Sequence, residues 1–322
     1  MTKFVPCLLA AATLAASTPG FAQAERYPFK PIQVIVTSTP GSTSEVLTRF
    51  LGAQMSKTLG QPIVVVAKPS ETSTIGTEFV RRSPADGYTL LLGGNTSMAA
   101  NVHLVKNLSY DPIHDFEPIS LASINPLVLV VKASLPITSV AELVAYAKAR
   151  PGEMNYGIGN GGGKVAAQLL RSMTGIDAQE ISFKGASQAM QELVAGRLDF
   201  MVVDPLVADP FIKQGALRAL AVTSAVRLPS MSALPTMIEA GVAGYDYSSF
   251  LGYYAPRGTP KAVIDTLHDA FAKAIDSQEG QEFFYKMGMI GKSTTPQALQ
   301  AFTKEQIANW GRLVKMAGMQ PQ

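Results

Sequence analysis

The sequence predicts an α/β fold built from two similar lobes. Three observations carry that reading. Short β-branched runs alternate with stretches of helical periodicity. The order strand–loop–helix–strand–loop–helix–strand occurs twice, once near residues 32–92 and again near 154–203. The loops at corresponding strand ends are rich in Gly, Ser, Thr and Asn. In open α/β sheets a ligand sits outside the carboxyl ends of the strands. Two facing lobes would therefore share one cleft.

The elements follow in order. Residues 32–37 read as a buried strand, broken by Pro40 and Gly41. Ser42 is placed to cap a helix, with Glu45 reaching back to it. Val46, Leu47, Phe50, Leu51 and Met55 give that helix an apolar face. Residues 62–66 form the next strand, 75–82 the next helix and 88–92 a third strand. The second set is a strand at 154–156, a helix at 164–173, a strand at 180–183, a helix at 187–195 and a strand at 199–203. Gly196 suits the residue after a helix end. Two further helices start at Thr259-Pro260 and Thr295-Pro296, and the second carries Trp310. They are expected to return to the first lobe.

The chain of 322 residues allows one large or two ordinary domains. Its net charge is +3, and its basic residues are scattered without interleaved aromatics, which argues against nucleic-acid binding. Met1-Thr2-Lys3, an apolar stretch at 4–16 and Ala22-Gln23-Ala24 predict a secretory signal peptide over residues 1–24. Cleavage after Ala24 would leave a soluble periplasmic protein of charge +2. It would also remove Cys7, the one cysteine, so neither disulfide nor thiol chemistry is expected.

The stretch YGIGNGGGKVAAQLLRSMTG, residues 156–175, looks like a phosphate cradle. The P-loop spacing fails, because Ile158 stands where the first glycine belongs and Val165 where Ser or Thr belongs. Gly157, Gly159 and Gly162 match the dinucleotide pattern, but Glu180 is a poor candidate for its acidic partner. What remains is a glycine-rich turn opening a helix, suited to any small anion, or else a plain surface turn. His103, His114 and His268 lack metal-ligand spacing, and no G-x-S-x-G elbow occurs. No enzyme, metal or organic cofactor is expected. The candidate ligand-binding residues are Ser38, Thr39, Gly41, Ser42, Thr43, Asn95, Thr96, Ser97, Asn160, Gly161, Gly162, Lys184, Gly185 and Ala186. Asp204 follows the last strand of the second set, as a ligand acceptor or a helix cap.

Several landmarks together resemble one family. They are Tyr27-Pro28-Phe29-Lys30-Pro31-Ile32, Ala85-Asp86-Gly87-Tyr88-Thr89-Leu90, Phe183-Lys184-Gly185 and Ala255-Pro256-Arg257-Gly258-Thr259-Pro260. With Leu217-Arg218-Ala219-Leu220-Ala221-Val222-Thr223, they are similar to the Bug-type periplasmic receptors of tripartite tricarboxylate transporters. The resemblance implies a type II-like clamshell of two mixed, mostly parallel sheets. Lobe one would be 25–124 plus 248–322 and lobe two 125–247, with hinges near 124–127 and 247–251. It further implies a monomer that binds a small organic carboxylate through backbone amides and waters and delivers it to a membrane permease. A periplasmic sensor is the alternative function, and an exported hydrolase a more distant one.

Two loops depart from the family pattern. Thr39-Pro40-Gly41-Ser42 replaces a Pro-Pro-Gly-Gly type loop, with Glu45 in place of an aspartate. Ala67-Lys68-Pro69-Ser70-Glu71-Thr72-Ser73 replaces a glycine-rich one. Ser70, Glu71, Thr72 and Phe250 are therefore candidates for setting specificity, toward a carboxylate with an extra polar or cationic group. Di-, tri- and aromatic carboxylates and amino acids all remain open.

Overall fold

A computed structural model describes residues 27–70, 72–183 and 185–316, with Met1, Gln320 and Pro321. Residues 2–24 of the expected signal peptide, with Cys7, lie outside the described residues, as do Glu71 and Lys184. The first unit runs β1 (Ile32–Val36), α1 (Thr43–Leu59), β2 (Ile63–Ala67), α2 (Thr74–Arg81) and β3 (Thr89–Gly94). A π-helical turn, Thr96–Ala100, and α3 (Asn101–Leu104) follow. Next come β4 (Phe116–Pro126), β5 (Val128–Lys132) and α4 (Val140–Lys148). The second unit is β6 (Met154–Ile158), α5 (Gly161–Thr174), β7 (Ala178–Ser182), α6 (Ala186–Val194) and β8 (Phe200–Val203). It continues into α7 (Pro205–Lys213) and β9 (Leu217–Val222). The chain ends with β10 (Ser248–Pro256), α8 (Lys261–Asp276), α9 (Gln278–Lys286), β11 (Ile290–Gly291) and α10 (Pro296–Met316). Among the described residues no helix is long and apolar enough to cross a membrane.

Two mixed sheets result. One has the order β11-β4-β10-β3-β1-β2 and the other β7-β6-β8-β5-β9. The repeated unit is visible in both: β2-β1-β3 and β7-β6-β8 are parallel trios of the same connectivity. The rest of each sheet is antiparallel, through β10, β4 and β11 in one and β5 and β9 in the other. The sheets are mixed, as expected, with the parallel pairs confined to the β–α units.

In β1, Val34 and Ile35 point to opposite faces, and both are fully buried. Leu47, Leu51 and Met55 of α1 cover one face, with Leu267 and Phe271 of α8. Met98 and Trp310 lie in the core on the other. Burial on both faces is why the strand reads as an unbroken apolar run.

Three helix starts differ from expectation. The α5 helix begins at Gly161, so the glycines lie inside it. The α8 helix begins at Lys261, because the Thr259 hydroxyl donates to the Pro256 carbonyl at 2.7 Å. A separate α9 is capped by Ser277, whose hydroxyl accepts from the Gly280 amide at 3.0 Å. Thr295 caps α10 as expected, accepting from the Ala298 amide at 3.2 Å.

The chain passes between the sheets twice, through Leu127 and through the segment joining β9 to β10. These passages are joined at Thr223. Its hydroxyl accepts from the Leu127 amide at 2.7 Å. Its own amide donates to the Leu127 carbonyl at 2.9 Å, and its carbonyl accepts from the Tyr247 amide at 2.9 Å. Thr223 is fully buried, so no water replaces a lost partner. Thr223→Val keeps the shape and orphans the Leu127 amide. Urea denaturation should show a loss of about 1–3 kcal/mol, and an unchanged stability would remove this clasp as a structural element.

Candidate functional site

The glycine-rich segment is a helix start fixed by packing. Asn160 is extended, and its Oδ1 accepts from the Gly163 amide at 2.8 Å. A Cβ on Gly163 would lie 2.6 Å from the Val202 carbonyl oxygen, so that position admits only glycine without a shift. The Gly161 and Gly162 amides have no acceptor among the described residues. A Cβ on Gly162 would lie 3.5 Å from the Tyr247 hydroxyl and 3.9 Å from Leu127 Cδ1. The open end of α5 therefore sits over both passages between the sheets.

A Cβ on Gly159 would fall 2.2 Å from Ala186 Cα, which puts the two loops in backbone contact. Gly185 caps α6 without a side chain, so the first amides of α6 are uncapped beside those of α5. Asp204 completes the group, because its Oδ2 accepts from Asn160 Nδ2 at 3.1 Å. Burial pushes the Asp204 carboxyl up, and the Asn160 bond offsets only part of that. The structure thus brings together Asn160, Gly161, Gly162, Gly185, Ala186 and Asp204. It adds Tyr247, which no motif marks.

Lys164 stays out of this group. Its Nζ lies 3.0 Å from Glu180 Oε1, while Glu180 Oε2 accepts from the Tyr156 hydroxyl at 2.9 Å and Gln168 at 3.1 Å. Burial acts to raise the Glu180 carboxyl, but Lys164 and these donors outweigh it and hold it low.

Most polar side chains in the loops of the first sheet are already hydrogen-bonded, while the Thr43 and Ser44 amides that open α1 have no acceptor among the described residues. Ser42 caps α1, with Glu45 N to its Oγ at 3.4 Å, and pairs with the Ser38 hydroxyl at 2.7 Å. Glu45 reaches past Ser42 to the Gly41 amide at 2.6 Å and also accepts from Arg49. The Gly41 amide, followed by Arg49, holds the Glu45 carboxyl below its ordinary range. Thr39 and Thr43 are exposed. Asn95 braces β10, accepting from the Phe250 amide at 2.8 Å and donating to the Ser248 carbonyl at 3.2 Å. Ser97 accepts from the Gly94 amide at 3.2 Å, and Thr96 is exposed. Ser70 accepts from the Ile75 amide at 3.2 Å, and the Thr72 hydroxyl pairs with Thr74 at 3.0 Å. Phe250 is 1% exposed and packs edge-on against Phe302, so its ring belongs to the core and not to a cleft wall.

The chain matches the tripartite tricarboxylate transporter family receptor model over residues 47–319. The chain belongs to that receptor family. It is 32% identical to BugT of Bordetella pertussis over 97% of each chain. It is similar to the structure of R. palustris Rpa4515 with adipate, at 34% identity and TM-score 0.81, over 92% of this chain and 100% of that one. It is also similar to the periplasmic binding protein BugD, at 31% identity and TM-score 0.77, over 92% of this chain and 100% of that one.

The fold is that of periplasmic binding proteins, and the family is one of receptors, not enzymes. Among the described residues no group of three His, Cys, Asp or Glu could hold a metal ion. A separate concavity of about 780 Å³ opens between the stretch after α3 and α10, lined by residues such as Lys106, Tyr110 and Lys304. None of the receptor's strand-end loops lines it.

In this receptor the raised Asp204 carboxyl means that its ionised form is disfavoured by folding. Stability then rises as pH falls through the folded-state titration, because the folded protein takes up the proton first. Asp204→Asn keeps an oxygen for Asn160 and removes the charge. The ligand-free variant should melt higher at pH 7, by about 2 °C, with the gap closing as pH is lowered. Differential scanning calorimetry across pH checks this, and a lower melting temperature for the variant would contradict it.

Proposed function

We propose that this protein is a periplasmic receptor for a small organic carboxylate, bound between two lobes and delivered to a tripartite tricarboxylate-type permease. One observation carries the reading: the open α5 amides lie over the passages that join the sheets. A helix N-terminus with free amides attracts a small anion without a side-chain cation. The bonds of Lys164 to Glu180 and of Arg49 to Glu45 support this, since neither cation is free to serve as a receptor group. R. palustris Rpa4515, seen with adipate, shows that a similar chain accommodates a carboxylate.

On this reading lobe one is 25–124 plus 248–322, lobe two is 125–247, and export uses residues 1–24. The lobes close about the passages at Leu127 and Thr223–Tyr247, as in hinged binding proteins. The receptor acts as a monomer.

A thermal-shift panel of di-, tri- and aromatic carboxylates and amino acids tests the reading. A ligand at 100 times its Kd should add about 2.7 kcal/mol of stability. Silence across the whole panel would sink it. The α5 cradle has its own test in Gly162→Asp. A Cβ there meets nothing closer than 3.5 Å, so the variant should fold. Its carboxylate would stand where the ligand's belongs, and calorimetry with the best ligand should show affinity reduced roughly a hundredfold or more, about 2.7 kcal/mol. Normal binding by the folded variant would place the ligand elsewhere.

A further inference from the structure

We propose that Asp204 and the Tyr247 hydroxyl form a subsite beside the α5 amides that selects carboxylates carrying an amino or hydroxyl group next to the carboxylate carbon. This rests on the receptor reading above and narrows its ligand class.

The argument begins with Tyr247. The residue is 3% exposed, its hydroxyl oxygen keeps a little solvent access, and that hydroxyl has no hydrogen-bond partner among the described residues. A hydroxyl held by a buried ring without a protein partner is available to donate to a bound group. The hydroxyl points at the open end of α5, 3.5 Å from where a Gly162 side chain would start. Its position is not free to drift. The Tyr247 backbone is bonded to Thr223, and its ring packs edge-on against Trp310 at 6.4 Å. Burial, with Asp204 nearby, pushes the phenol far up, so it remains a donor at neutral pH.

Asp204 supplies the selection. Asn160 occupies its Oδ2, and no other side chain among the described residues donates to the carboxylate. Among the described residues no cation pairs with it, and Lys164 is bonded to Glu180. A bare carboxylate on the Gly161 and Gly162 amides would therefore face a second, uncompensated carboxylate. Like charges brought together in a partly desolvated cleft oppose binding. An ammonium or hydroxyl group on the neighbouring carbon changes the sign of that contact. It donates to the remaining Asp204 oxygen, while Tyr247 donates to the ligand carboxylate. An ammonium group does this best, because it carries charge as well as donors.

The extra polar group of the ligand, which the sequence assigns to Ser70, Glu71 or Thr72, acquires a different partner on this proposal. The Ser70 and Thr72 hydroxyls are engaged in local bonds around the start of α2, and Glu71 lies outside the described residues.

The test uses the tightest binder from the carboxylate panel as a matched set: the unsubstituted acid, its 2-hydroxy form and its 2-amino form. Calorimetry at pH 7.5 should give the 2-amino acid an affinity at least tenfold above the unsubstituted acid, with the 2-hydroxy form between them. Asp204→Asn should bring the 2-amino to unsubstituted ratio below threefold. Tyr247→Phe should weaken the 2-amino acid by at least fivefold. A wild-type ratio under tenfold overturns the proposal, and so does a ratio that stays above threefold in Asp204→Asn. The wild-type ratio decides alone should a variant prove unstable. A panel in which nothing binds removes the receptor reading itself, an outcome distinct from equal binding of the matched acids.

Discussion

Three residues, Leu127, Thr223 and Tyr247, hold the two sheets together at their junction. Thr223 bonds to Leu127 through both amide and hydroxyl, and to Tyr247 through its carbonyl. All three are buried. A junction bonded this way can bend about the backbone but cannot slide, since sliding would orphan buried amides. Beside it the β4–β10 ladder runs on through Ser248–Pro126 and Ser249–Asn125. There the Asn125 Oδ1 and Ser248 Oγ atoms are buried without partners among the described residues.

That junction also decides what kind of anion site the protein can have. The start of α5 sits against Leu127 and Tyr247, so a ligand on its amides is close to the passages between the sheets. Among the described residues Lys164 is bonded to Glu180, and Arg171 donates to the Tyr156 hydroxyl at 3.1 Å. The α5 amides hold an anion without a side-chain cation, and the charge the empty group does bury is that of Asp204, whose carboxyl burial pushes up. Such a site can also release the ligand, which a fully desolvated ion pair would resist.

Much of this was legible in the sequence, and the misses have specific causes. The twofold strand–helix order was readable because buried parallel strands are apolar runs and their helices are periodic. The Asn160 cap could have been read from its place before the glycines. The start of α5 at Gly161 was not read, because glycine weakens helices by propensity. At Gly163 the close approach of the Val202 carbonyl overrides that preference. The sequence marks Tyr247 only as the edge of a hinge, with no motif that makes it a site residue. It lies outside every strand and helix, and its importance comes from Gly162, 85 positions earlier in the chain, and from Trp310. Asn95 was marked as a ligand residue by its loop, yet its amide group bonds to Ser248 and Phe250, more than 150 positions away. Distant pairings of this kind cannot be read from spacing.

The two strand-end clusters are alike in composition and in how their helices begin. Ser42 caps the Glu45 amide of α1 as Asn160 caps the Gly163 amide of α5. Among the described residues the Thr43 and Ser44 amides of α1 have no acceptor, and the same holds for Gly161 and Gly162 of α5. What differs is the acid beside each start. Glu45 turns its carboxylate back onto the Gly41 amide, which closes that amide to a ligand and places an anion at the start of α1. Asp204 accepts from the Asn160 side chain and leaves the α5 amides open. On the receptor reading an anion therefore docks first on α5 while the cleft is open. Closure then excludes water, which strengthens those bonds by lowering the local dielectric.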